Sequence, residues 1–85
     1  MYIEVVTPDE KIYEGEVESA TFPGSDGSFQ VLNNHAPMIS TLGKGDMRLV
    51  KVVDKKTEEA NYQVEGGVVE VLNNKVTVLA EKIGE

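Results

Sequence analysis

The chain has no cysteine, no tryptophan and a single histidine, and its only aromatic side chains are three tyrosines and two phenylalanines. Each shortage closes off a class of chemistry. Without cysteine there is no disulfide, no thiolate nucleophile and no cysteine-held zinc or iron–sulfur centre, a composition that suits a reducing compartment. One histidine leaves carboxylates as the remaining metal ligands, and no D-x-D-x-D-G loop is present for calcium. No apolar run nears the roughly 20 residues of a membrane helix, and the opening M-Y-I-E-V-V lacks the basic segment of a signal peptide. The chain is expected to be soluble and unprocessed, with no metal and no cofactor.

Positive charge is also scarce. Eight lysines and arginines face fifteen acids, a formal charge of −7, which opposes nucleic acid and anionic lipid because both bind through phosphate neutralisation. Residues 1–20 hold Glu4, Asp9, Glu10, Glu14, Glu16 and Glu18 against Lys11 alone. This is a solvated face or a docking surface for a basic partner. At 85 residues the chain suits one domain, residues 1–85, burying about 60% of its unfolded surface.

What is present is strand. Ala60, Tyr62 and Val64 alternate with Glu59, Asn61, Gln63 and Glu65, and Ile3 and Val5 flank Glu4 in the same way. A period of two puts the apolar set on one sheet face. No window carries a helical period, and eight glycines and three prolines punctuate the chain. The spacing predicts an all-β fold, a single β-sandwich of about nine to ten short, mostly antiparallel strands. Val17 has the opposite parity to Ala20 and Phe22, so a bend or bulge is needed there. Composition makes residues 23–27 a loop, Gly43 and Gly45 a turn around Lys44, and residues 54–59 a charged hairpin tip. Met47 and Leu49 alternate with Val50 and Val52, as in a strand covered on both sides or switching sheets.

The tetrapeptide V-L-N-N occurs at residues 31–34 and again at 71–74. In the second copy, a two-residue loop at Asn73 and Asn74 opposes Val71 with Val76 and Val69 with Val78, gathering four valines on one face. Asparagine tolerates the positive φ that a type I′ turn requires, and any hairpin-compatible pair should serve as well. The first copy cannot form the same hairpin, because it would set Pro37, which has no N–H, into the ladder. Ala36 precedes that proline and is pushed toward extended backbone, so residues 35–37 read as a corner between strands.

His35 is the one candidate for acid–base work near neutral pH. A small β-sandwich enzyme or ligand-binding module could use it with Asp26 and with Ser28 or Ser40, but G-x-S-x-G is absent and the three residues have no diagnostic spacing. The alternatives are a histidine that bonds to loop backbone and a histidine at an interface. The G-K-G-D at residues 43–46 lacks the hydroxyl and the following helix of a phosphate loop, and sparse aromatics weaken an oligonucleotide-binding reading. By elimination the chain is a β module that binds something.

Three stretches, in order, carry a resemblance: G-S-D-G-S-F-Q-V-L-N-N-H-A-P at residues 24–37, L-x-x-G-x-x-R at residues 42–48 and E-G-G-V-V-E-V-L-N-N-K-V-T-V-L-A at residues 65–80. Together with the opening V-V-T-P-D-E-K-I-Y-E-G, they resemble the epsilon subunit of rotary ATP synthase over nearly the whole chain. The resemblance implies a ten-stranded β-sandwich at the foot of the central stalk. There it binds the gamma subunit and the c ring, within a complex that also holds alpha and beta subunits on the cytoplasmic face of the cell membrane. It further implies a non-catalytic rotor part that couples ion flow to ATP synthesis without entering the membrane. Carried over by position, the gamma interface falls at Thr7, His35 and Ser40, and the c-ring interface at Asp26, Gly27, Ser28 and Phe29. Many members have P-G-H-A-P where this chain has N-N-H-A-P, and some have an acid where Ser28 stands, which leaves Asp26 as the nearest acid. Typical members continue into two C-terminal helices that can inhibit hydrolysis and in some cases bind ATP. This sequence stops before such a hairpin and is expected to couple without inhibiting itself by that route.

Overall fold

A computed structural model of the chain describes residues 1–84. Seven strands form one continuous sheet: β1 (Tyr2–Val6), β2 (Lys11–Glu16), β3 (Ser19–Gly24), β4 (Gly27–Leu32), β5 (Met38–Val53), β6 (Lys56–Leu72) and β7 (Lys75–Gly84). Their lateral order is β2-β1-β7-β6-β5-β3-β4, and every pairing is antiparallel except β1 with β7. No helix occurs among the described residues, as the missing 3.6-residue period predicts.

Two of the strands are very long, and this is why seven strands stand where nine to ten were expected. β5 has 16 residues and β6 has 17. Their ladder skips a pair between Leu42↔Gly67 and Lys44↔Glu65, leaving Gly43 and Gly66 outside the register. The sheet folds over at this point into two layers. Residues 38–42 of β5 and 67–72 of β6 lie on the side of β7, β1 and β2, while residues 44–53 and 56–65 lie on the side of β3 and β4, with the end of β7 following β6 across the bend to pair with residues 63–65. Each long strand serves both layers, so its halves read as separate strands in sequence. Gly43 and Gly45 do not make a turn; they sit in a bend inside β5. The bend depends on Gly67 in particular: its φ is +136, and a Cβ there would lie 2.3 Å from the Leu79 carbonyl oxygen.

The core fills the space between the layers. Ile3, Val5, Val69, Val71, Val76 and Val78 come from one layer and Ala20, Phe22, Val31, Met47 and Leu49 from the other, all in one buried cluster. No polar side chain is buried with them among the described residues, so the layers are held by apolar burial, worth about 25 cal/mol per Å². Val17, between β2 and β3, is buried where the chain breaks its parity, as the opposed register of Val17 and Phe22 requires. Val50 and Val52 face outward instead, and Val52 is half exposed; no layer of this chain covers that side.

The second V-L-N-N forms the expected hairpin, with Val71↔Val76 and Val69↔Val78 in register and with φ of 51° and 60° at Asn73 and Asn74. The β5–β6 turn is tighter than the six-residue tip that composition suggested: it consists of Asp54 and Lys55, both at positive φ, and Lys56 already belongs to β6. The loop expected over residues 23–27 also shrinks, to Ser25 and Asp26, with Gly24 and Gly27 opposed as the last strand pair. Pro23 is in the strand, at a point where the β3–β5 ladder shifts register. A residue without an N–H fits such an interruption.

Candidate functional site

The residues singled out by sequence are divided between the layers: Thr7 and Ser40 belong to the first, residues 26–29 to the β3–β4 hairpin of the second, and His35 to the corner that joins β4 to β5. Thr7 starts the β1–β2 turn. Its hydroxyl accepts from the backbone N–H groups of Asp9 (3.3 Å) and Glu10 (3.2 Å), and its own N–H donates to the Glu10 carbonyl at 2.9 Å. Threonine is chosen here as a turn former, and it holds the exposed acids Asp9 and Glu10 outward.

Asp26 occupies the β3–β4 turn, which is braced against β5. The Ser25 N–H donates to the Thr41 carbonyl at 3.1 Å, and the Ser25 and Thr41 hydroxyls share a hydrogen bond of 2.8 Å. Asp26, Gly27 and Ser28 are exposed. Phe29 is not presented in the same way: it packs on the core with its ring 5.5 Å from that of Phe22, so it anchors the turn from beneath.

His35 sits at the opposite end, in the corner between β4 and β5. Its N–H donates to the Leu32 carbonyl at 3.2 Å, and its Nδ1 lies 2.8 Å from the Ala36 carbonyl. A carbonyl can only accept, so Nδ1 donates and Nε2 is the ring nitrogen left for a partner. Leu32 alone is four residues, or about 13 Å of strand, from Ser28. Asp26, Ser28 and His35 are therefore not brought together, and the hydrolytic arrangement is absent. Among the described residues no group of three metal-ligating side chains is assembled.

Ser40 lies on β5 opposite Val69, on the strand side that also carries buried Leu42. Its hydroxyl donates to the Thr41 carbonyl at 3.3 Å. The neighbouring Ile39 points outward and is 72% exposed. It belongs to an apolar strip that sequence reasoning missed: Val6 lies beside Leu79, Leu79 opposite Val68 and Val68 opposite Thr41. The strip crosses four strands, about 14 Å, from the Thr7 turn to the β5 edge. Leu79 is 54% exposed, and Leu72 adds to the same face. The signal was in the sequence as apolar residues at both parities, Val68 beside Val69 and Leu79 beside Val78, where a sheet with one wet face would alternate.

Charge is unevenly matched. Along the β5–β6 hairpin, Lys44–Glu65 (3.8 Å), Arg48–Glu59 (3.6 Å) and Lys51–Glu58 (3.8 Å) pair across the ladder. On the β1–β2 side, Lys11 reaches both Glu4 (3.1 Å) and Glu14 (3.0 Å). A hydrogen bond from Tyr2 and another from Lys11 hold the Glu14 carboxyl below the usual carboxylate range, and Glu14 in turn raises both Tyr2 and Lys11. One lysine between two acids leaves this side negative.

Comparison with known proteins follows this geometry. Residues 1–85 match the sequence model of a family described as "ATP synthase, Delta/Epsilon chain, beta-sandwich domain". The ATP synthase epsilon chain of Leptospira borgpetersenii is 42% identical over 79 residues, which cover 93% of this chain and 59% of that one. That of Chlorobium limicola is 41% identical over 81 residues, covering 95% and 89%. The chain thus spans a little under three fifths of the Leptospira relative. Among solved structures, one from the central stalk and c ring of the Tetrahymena thermophila mitochondrial ATP synthase superposes with a TM-score of 0.84 at 15% identity, covering 99% of this chain and 65% of that one. At that identity the likeness bears on the fold, and there it agrees with the two-layer sandwich.

Proposed function

The chain belongs to the family of ATP synthase delta/epsilon β-sandwich domains, and from that membership we propose that it is a central-stalk part of a rotary ATP synthase, seated between the gamma subunit and the c ring. Gamma occupies the outer face of the first layer between the Thr7 turn and the His35 corner, with Ser40 on the β5 segment at its edge. The c ring meets the end that carries Asp26, Gly27 and Ser28, with Phe29 fixing the turn. The domain makes and breaks no bond. It sits peripherally at the cytoplasmic face of the membrane and ties gamma to the ring, so that torque from ion flow reaches the alpha and beta subunits.

The observation that carries this reading is the outward strip of Val6, Leu79 and Val68 with Ile39 at its edge. Exposed apolar residues occur singly on any protein, but a contiguous set on a sheet face marks a protein contact. Its rim is polar, as interfaces are. Asp26 in its turn and Asp9 and Glu10 in the β1–β2 turn suit basic loops on the ring, and such rim charges act mainly on the rate of association.

The test is capture from a membrane extract with the folded chain as bait. Gamma, the c ring or both should be retained. Replacing Leu79 by Asp should abolish retention of gamma while leaving the far-ultraviolet spectrum unchanged, since Leu79 is outside the core. A folded wild-type chain that retains neither partner overturns the proposal.

A further inference from the structure

The two V-L-N-N turns touch each other. Forty residues apart in sequence, they are joined by a hydrogen bond in which the Asn34 backbone N–H donates to the Asn74 side-chain Oδ1 at 2.8 Å. The backbone of Asn74 is occupied as well, its carbonyl accepting from the Tyr2 N–H at 3.1 Å. On the other side of the first turn, the Met1 amine donates to the Asn33 side-chain oxygen and, at 3.1 Å, to the Val17 carbonyl. The two residues that precede His35 are thus held from two directions, by the β6–β7 turn and by the start of β1.

The corner has little else to hold it. Asn33, Asn34, Ala36 and Pro37 are exposed, and residues 35–37 belong to no strand. β4 pairs only with β3. The remaining bonds within the corner join near neighbours, His35 to Leu32 and His35 to Ala36, and these fix its curvature without fixing its placement on the sandwich.

We propose that Asn74 is a positioning residue: its side-chain carbonyl clasps the first V-L-N-N turn and so fixes the placement from which His35 Nε2 meets the partner. The proposal rests on the reading that the His35 corner faces gamma. It differs from that reading in assigning a role to a residue the partner need not touch. A turn alone would not call for asparagine at this position, because glycine is at least as well suited to positive φ at the second place of a type I′ turn.

That preference supplies the test. Asn74→Gly keeps the turn and the carbonyl that serves Tyr2 but removes the acceptor; Asn74→Asp keeps an acceptor; Asn73→Gly alters the same turn without touching the clasp. Two quantities are measured on the chain: amide hydrogen exchange by residue, and affinity for purified gamma subunit by calorimetry. In Asn74→Gly, exchange at Asn34 should quicken about tenfold while the amides of Val69, Val71, Val76 and Val78 keep their protection. Affinity for gamma should fall about three- to tenfold, the range of one hydrogen bond. Asn74→Asp and Asn73→Gly should match the wild type in both. Unchanged exchange at Asn34 overturns the clasp, and faster exchange with unchanged affinity overturns its role in docking. If the wild-type chain itself does not bind gamma, the functional reading falls and the proposal with it; equal binding by wild type and Asn74→Gly overturns the proposal alone.

Discussion

His35 offers the clearest case of how one side chain can be both structural and available. Its Nδ1–H is committed to Ala36, so a partner meets Nε2. His35→Gln, which can still offer an acceptor, should bind gamma more tightly than His35→Phe, the gap being about 0.5–1.5 kcal/mol. Both should melt within a few degrees of the wild type, because the ring is not in the core; calorimetry and thermal melts read the two effects separately. Glu14 carries a pH effect whose sign follows from its partners. Tyr2 and Lys11 depress the Glu14 carboxyl, so the stability it adds is present above the ordinary carboxylate value and is lost as pH falls through the lower, folded value. The raised Lys11 acts in the opposite sense, adding stability below the ordinary lysine value that is lost as pH rises through its folded value. An NMR titration of Glu14→Gln should show Tyr2 returning toward its ordinary value.

The strands repeat the lesson at larger scale, because local pattern decided some of them and distant contacts decided the rest. Phe22 is wholly buried and packs against the tilted ring of Phe29, so Phe22→Ala should cost about 3–5 kcal/mol, measured by urea denaturation. Gly67→Ala should be severe, since positive φ alone costs about 1–3 kcal/mol and the Leu79 carbonyl stands in the way; Gly43→Ala, with nothing closer than 3.7 Å to the new atom, should be mild. The β6–β7 hairpin was legible in full because its valines share one parity and asparagine accepts positive φ. The β4–β5 corner was legible because Pro37 has no N–H. The number of strands was not, since a glycine inside a long strand and a glycine in a turn look alike until the pairing partner is known. The contact of Asn74 was not legible: the hydrogen bond from Asn34 crosses 40 residues, and no local pattern encodes it. Of the proposed docking surface, the positions of Thr7, Asp26 and His35 came from the family resemblance, whereas the strip of Val6, Leu79 and Val68 emerged only when the register placed them side by side.

As a whole the molecule is a small block of 33 × 27 × 22 Å whose stability should be ordinary, about 4–13 kcal/mol at 0.05–0.15 per residue. Its layers share continuous strands, so force applied to one layer passes to the other through covalent backbone as well as through packing, which suits the torque-bearing role proposed for it. The acidic β1–β2 side and the Asp26 end should make association with the stalk sensitive to salt, with the on-rate falling as ionic strength rises and the off-rate changing little; surface plasmon resonance separates the two. The central claim concerns coupling, and the direct measurement is ATP synthesis driven by an ion gradient in vesicles carrying ATP synthase depleted of its own epsilon subunit. Addition of the folded chain should restore synthesis, and the Leu79→Asp variant should not. Vesicles that stay uncoupled with the wild-type chain bound, or recover equally with the variant, would contradict the account.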